Sequence, residues 1–376
     1  MLNALIITIS GTPGSEKGEI ADRIAKKLEM DPFSIEKDFV EPMAHRRRMS
    51  VSQFYVAYAD KIDEPFDDWQ RNLCNYMDGI VLESLLGFQW AKKSKIKSYN
   101  VFVTSDKEIA AERLLKIKHE EARGKNKKQM IKNLEEREKF EIENYREKYK
   151  IEDFTSPENF DLVLDTSKGI KGPYMKLLNR VKPLLEEEEK AFNDLVNRFP
   201  MESREKEYTY ISTPHSTGKL MYDYLIKNNL KKLEKGNPVH EIIREEILSK
   251  NEASSKTLKN NLTKLYGPYV INPTEVGYFG NTPQRKGLAL WRKFIRKYVK
   301  RMVMNEGWEY SNGCVEEFFL ANAEQIELLD HKLQPINVRQ SSYDIVGAIK
   351  DVKSLELPCE KLEFFYSMIG KYALNF

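Results

Sequence analysis

An apolar, β-branched run, Leu5-Ile6-Ile7-Thr8-Ile9, leads into Gly11-Thr12-Pro13-Gly14-Ser15-Glu16-Lys17-Gly18, and this junction constrains the fold more than any other feature. Gly18 to Leu28 has the spacing of an amphipathic helix, so the glycines lie in a strand-to-helix turn. A loop of the form G-x-x-x-x-G-K-[ST] in that setting wraps backbone N–H groups around phosphates. Its lysine reaches the β/γ oxygens and its hydroxyl holds Mg²⁺. Gly11, Gly14, Ser15 and Lys17 fit the pattern as nucleotide-binding positions, and Lys17 is the catalytic candidate. Two positions do not fit. Glu16 stands where the second glycine belongs, and Gly18 where the hydroxyl belongs. A side chain at the first position costs roughly 1–2 kcal/mol if the backbone is left-handed. A carboxylate there also repels a triphosphate and competes for Lys17.

The rest of the first half alternates strand and helix. Strands are expected at Gly79–Glu83, Tyr99–Thr104 and Phe160–Asp165, with a mixed segment over Asp31–Asp78 and a long charged helical stretch over Asp106–Tyr149. That alternation predicts an α/β, doubly wound parallel sheet whose ligand binds at the carboxyl ends of the strands. Helical pattern runs on to Val196, and the polar stretch Arg198–Glu207 marks a boundary. The expected domains are residues 1–197 and 208–376. In the second, a start at Tyr208–His215, a helix over Lys219–Leu233, polar helical sequence to Leu265, an amphipathic helix over Leu288–Val299 and a strand at Arg301–Met304 predict an α+β domain.

Composition sets bounds. Hydrophobic residues at 41% and charged residues at 32% over 376 positions fit two globular domains, each large enough for its own core. A net charge of +3 gives no case for general nucleic-acid or membrane binding. Cys74, Cys314 and Cys359 are too scattered for a disulfide framework or a zinc site, so no metal site and a reducing, cytoplasmic setting are expected. No apolar run approaches the length of a membrane span.

From Leu5 to about Leu185 the chain resembles the archaeal-type cytidylate kinases, a branch of the P-loop nucleoside monophosphate kinases. Beyond the loop, the resemblance rests on Asp38-Phe39-Val40, on Met43-Ala44 and on Met49-Ser50-Val51. It continues through Ile62-Asp63 with Asp67, Asp68 and Gln70, Val81-Leu82-Glu83 and Ala110-x-x-Arg113. Its last parts are Arg137-Glu138 with Glu143, Tyr145 and Tyr149, and Phe160–Ser167. It implies a five-stranded P-loop kinase sheet and phosphoryl transfer from ATP to CMP or dCMP with Mg²⁺. It also implies a lid cation at Arg137 and substrate contacts at Asp38 and Asp63. Such catalysis is positioning plus charge neutralisation, so its parts can be checked one by one. Where the family has arginines for the acceptor phosphate, this chain has Glu41 and Leu85. With Glu16 and Gly18, four ligand positions are altered, which predicts lost or severely weakened transfer. Arg46, Arg47, Arg48, Arg113, Arg123 and Arg137 are the remaining cations, and surface charge is the plainer explanation for all but Arg137.

The second half is faintly similar to the thymidylate synthase and deoxycytidylate hydroxymethylase superfamily. The similarity rests on Lys300-Arg301 before an apolar strand, on Cys314, on Arg339-Gln-Ser341-Ser342-Tyr-Asp344, and on Gly347-Ala348 with Asp351. It implies a nucleophilic Cys314, phosphate contacts at Arg301, Arg339 and Ser341, base or substrate contacts at Asp344 and Asp351, a reduced folate, and a homodimer. The spacing Arg339–Asp344 is two residues too long, and the later His-x-Tyr segment is absent. A buried Cys314 and an ordinary ion pair or cap for Arg339 and Asp344 are the bland alternatives. The stretch Thr213–Lys219 opens a helix and could hold an anion, but a turn with an N-cap explains it equally well.

Three accounts remain open. One is a decayed kinase domain fused to a pyrimidine-nucleotide-binding domain. Another is an active (d)CMP kinase with relocated arginines. The third is a pyrimidine C5-modifying enzyme with a kinase-like docking domain.

Overall fold

The computed structural model describes residues 5–49, 51–116, 126–199, 207–215, 218–230, 238–276 and 284–373. The chain divides into two compact units, Asn3–Glu189 and Lys190–Phe376.

In the first unit, β1 (Leu5–Gly11), β2 (Asp31–Ser34), β3 (Ile80–Glu83), β4 (Lys97–Thr104) and β5 (Leu162–Asp165) form one parallel sheet in the order β2-β3-β1-β4-β5. β1 is central and buried on both faces, which is why its sequence is a continuous apolar run and not an alternation. Edge strand β5 alternates buried and exposed residues. Leu5, Ile7 and Ile9 pack with Ile20 and Ile24 of the helix Lys17–Leu28, and with Leu177 and Val181 of the helix Lys171–Val181. The strands read from sequence are found within two residues of their expected ends. β2 and the helix Val51–Tyr76 lay hidden in the mixed segment. The expected charged helix is two, Lys107–Lys116 and Lys127–Tyr149.

The second unit holds β6 (Tyr208–Ser212), β7 (Val270–Ile271), β8 (Val299–Met304) and β9 (Glu327–Asp330), paired in parallel in the order β7-β6-β8-β9. The expected second domain is present, and its sheet is parallel throughout, so it is an alternating α/β unit rather than α+β. Long helices Pro238–Tyr266, Gln284–Tyr298 and Asn312–Ala323 separate the strands and supply the crossovers a parallel sheet requires. Ile211 and Val303 pack against Leu258 and Leu262. The chain leaves β6 for β7 on one side and later lies as β8 on the other, so the switch point falls between the carboxyl ends of β6 and β8.

Candidate functional site

The glycine loop closes tightly at the carboxyl end of β1. A Cβ on Gly11 would lie 2.3 Å from the Val103 carbonyl oxygen, and one on Gly14 (φ 75°) would strike the Ala110 backbone at 2.8 Å, so both glycines are required by space. Ser15 is fully buried and its Oγ donates to the Thr12 carbonyl at 2.7 Å. Glu16 adopts the left-handed conformation the loop demands of a glycine, φ 59° and ψ 29°. Its carboxylate faces Arg113, with Nε 3.5 Å from Oε1, not Lys17. Arg113 also donates to the carbonyls of Gly14 (3.1 Å) and Thr166 (2.6 Å). Thr166 Oγ1 donates to the Ser15 carbonyl at 2.9 Å. Arg113 thus stitches the loop to the end of β5.

Lys17 is held from the other side, its Nζ 3.4 Å from Oε1 of Glu83 at the end of β3. Glu83 is 7% exposed and accepts a second bond from Ser34 Oγ. These residues border a cavity of about 110 Å³ whose lining includes Gly11, Pro13, Lys17, Glu36, Phe66, Asp67, Gln70, Glu83, Leu85, Arg137, Tyr145 and Tyr149. Arg137 comes from the helix Lys127–Tyr149, with Nε 2.7 Å from Glu141 Oε1. The far end of that helix is anchored by Tyr145 against Phe154 and by the Tyr149 hydroxyl, which donates to Asp67.

Of the other sequence candidates, those with described side chains fall outside this lining. Asp38 accepts the Ser34 backbone N–H at 2.8 Å and shapes the turn after β2. Asp63 lies on the helix Val51–Tyr76, but its side chain is outside the described residues, as is Arg123. Arg46, Arg47 and Arg48 are exposed, with Arg47 over the rings of Phe54 and Tyr58. Among the described residues, only Arg137 brings a guanidinium to the cavity wall.

The donor set does not fit a P-loop Mg²⁺. Gly18 has no hydroxyl, the Ser15 Oγ is spent on Thr12, and Glu83 is committed to Lys17 and Ser34. Among the described residues no three His, Cys, Asp or Glu side chains gather as a metal site. Also among these residues, no helix is long and apolar enough to cross a membrane.

In the second unit the structure disperses the residues of the synthase-like reading. Cys314 is 2% exposed in the first turn of Asn312–Ala323, and burial pushes its thiol up to about 12, the reverse of what a nucleophile needs. Arg301 pairs with Glu327 at 2.6 Å and lies 4.0 Å over the Tyr266 ring. Arg339 and Ser341 stand two apart on the helix Val338–Ser354, one exposed and one buried, so they cannot fork a single phosphate. Asp344 accepts from Gln340 one turn away at 3.2 Å, and Asp351 accepts from the Tyr310 hydroxyl at 2.5 Å. No folate-dependent centre is assembled from these residues.

The sequence reading missed Glu317. It projects from Asn312–Ala323 to the carboxyl end of β6, where Tyr210 donates to Oε1 at 2.7 Å and Ser212 to Oε2 at 2.6 Å. Burial, with a smaller push from Glu316, raises its carboxyl to about 7 despite both hydrogen bonds. Neighbouring Glu316 is a structural acid, buried against Arg292. The one available signal was a pair of glutamates inside the otherwise apolar run Cys314–Ala321.

Residues 7–144 match the family described as AAA domain. A cytidylate kinase from Methanopyrus kandleri is 32% identical over 50% of this chain and 97% of its own length. Another cytidylate kinase, from Methanocaldococcus jannaschii, is 32% identical over 44% of this chain and 89% of its own. Among solved structures, shikimate kinase from Bacteroides thetaiotaomicron matches 47% of this chain and 98% of its own at 13% identity, with a TM-score of 0.33. Through its P-loop-bearing N-terminal half, the chain belongs to the cytidylate kinase family.

Proposed function

We propose that the first unit is a nucleotide-binding kinase scaffold in which ATP-dependent phosphorylation of CMP or dCMP is lost or severely weakened. The observation that carries this reading is the double commitment around the loop: Lys17 to Glu83, and Glu16 in a glycine conformation facing Arg113. A phosphate entering the loop must displace a carboxylate from each cation. Gly18 offers no hydroxyl through which Mg²⁺ could neutralise the incoming charge. Phosphoryl transfer has little covalent chemistry for the protein to supply, so losing these electrostatic parts removes most of the catalysis.

Calorimetric titration of ATP with and without Mg²⁺ tests this. The expected result is weak binding that Mg²⁺ leaves unchanged. Tightening by about tenfold or more on adding Mg²⁺, worth about 1.4 kcal/mol, would refute the reading.

A second reading concerns the other unit and is supported by Glu317. A carboxyl that titrates near 7 at a sheet switch point can both give and take a proton at neutral pH, which is the property acid–base catalysis needs. This unit then carries its own chemical centre, built on Glu317, Tyr210 and Ser212 rather than on Cys314.

A further inference from the structure

Resting on the reading of the first unit as a kinase scaffold, we propose that the cavity beside the glycine loop selects an uncharged pyrimidine nucleoside over its 5′-monophosphate. A monophosphate carries between one and two negative charges at neutral pH, and something in the cavity must balance them. The described lining sets three carboxylates, Glu36, Asp67 and Glu83, against two cations, Lys17 and Arg137. Both cations already face carboxylates, Lys17 at 3.4 Å from Glu83 and Arg137 at 2.7 Å from Glu141. Leu85 adds an aliphatic side chain to the lining and no charge.

Two of these carboxylates also act on a residue just outside the lining. Glu41 is largely exposed, yet its carboxyl is pushed above the ordinary range, first by desolvation and then by Glu36, with Glu83 and Asp38 adding and Lys37 opposing. A dianion placed in that field meets like charge at close range.

The same lining suits a neutral ligand. Phe66, Tyr145 and Tyr149 offer ring surface for a base. Glu36 offers oxygens that accept from ribose hydroxyls or an exocyclic amine, and Gln70, whose Oε1 already accepts from Ser84 Oγ, offers its amide N–H to a base carbonyl; an uncharged nucleoside carries these groups without a phosphate's cost. The altered positions in this chain have therefore changed which acceptor the pocket holds.

The test is calorimetric titration of the full chain with cytidine and with CMP, both without ATP. Cytidine is expected to bind at least about tenfold more tightly. Leu85→Arg and Glu83→Gln, one adding a cation and the other releasing Lys17, are each expected to narrow that ratio by about threefold or more, by strengthening CMP. CMP binding as tightly as cytidine or more tightly in the unsubstituted chain overturns the proposal, and so does failure of both ligands to bind. Because ATP is absent, the order of these two affinities is decided separately from whether the chain transfers phosphate.

Discussion

Replacing Glu16 with glycine and Gly18 with threonine together is expected to raise affinity for ATP in the presence of Mg²⁺ by about ten- to a hundredfold, equivalent to about 1.4–2.8 kcal/mol. The two substitutions act on different defects. Glu16→Gly removes a carboxylate from the mouth of the loop and frees Arg113 of its charge partner at 3.5 Å. It also relieves a left-handed residue that carries a side chain, worth roughly 1–2 kcal/mol of stability. Gly18→Thr supplies the missing hydroxyl. Space permits it, since the nearest atom to a Cβ at that position is Lys37 Nζ at 3.7 Å, ordinary van der Waals contact. The part of the gain that comes from the threonine should be Mg²⁺-dependent, because only that substitution addresses the metal. Titration of the double variant with and without Mg²⁺ checks this. An affinity unchanged from the unsubstituted chain would place the defect elsewhere, at Glu83.

The second large effect is expected from Glu317→Gln. An acid whose folded pKa is raised holds its proton more tightly in the native chain than in the unfolded one. Its contribution is therefore most favourable below about pH 4.5, declines as pH rises towards 7, and is constant above that. The span between those values corresponds to about 3 kcal/mol at 1.36 kcal/mol per unit. Glutamine cannot ionise, and the hydroxyls of Tyr210 and Ser212 can turn to donate to or accept from its amide. Relative to the variant, the unsubstituted chain should lose about 3 kcal/mol of unfolding free energy between pH 4.5 and pH 7.5. Urea unfolding of both proteins across that range measures it. Parallel pH profiles would mean that Glu317 titrates in its ordinary range and that the second centre lacks its chemistry.

The two halves were not equally legible in the sequence. β1, the glycine loop and the helix after it were plain because an apolar run, punctuating glycines and a helical period follow one another without interruption. β2 was not, since Asp31-Pro32 has the look of a turn. Proline is tolerated there because β2 lies at the sheet edge, where its missing N–H breaks no ladder. Pro65 likewise stands inside what is a 26-residue helix, where a proline ordinarily marks a break.

In the second unit, β7 is two residues long, too short for any periodicity to register, and without it the parallel sheet cannot be inferred. The site was read in its parts but not in its pairings. Sequence identified Glu16 and Gly18 as the altered positions and led to the expectation that Glu16 would compete for Lys17, which the structure does not bear out. The structure gives Glu16 to Arg113 and Lys17 to Glu83, partners brought together only by the order of the strands. Glu317 was invisible for the same reason, since its hydroxyl donors lie 105 and 107 residues away in the chain.

Turnover by the purified chain, with ATP, Mg²⁺ and either CMP or dCMP, bears most directly on the claim that this scaffold has set its phosphate-binding charges against one another. The account predicts no nucleoside diphosphate above the background of a Lys17→Ala variant. Formation of CDP or dCDP at about 1 s⁻¹ or faster, within the range of ordinary kinases, would contradict it.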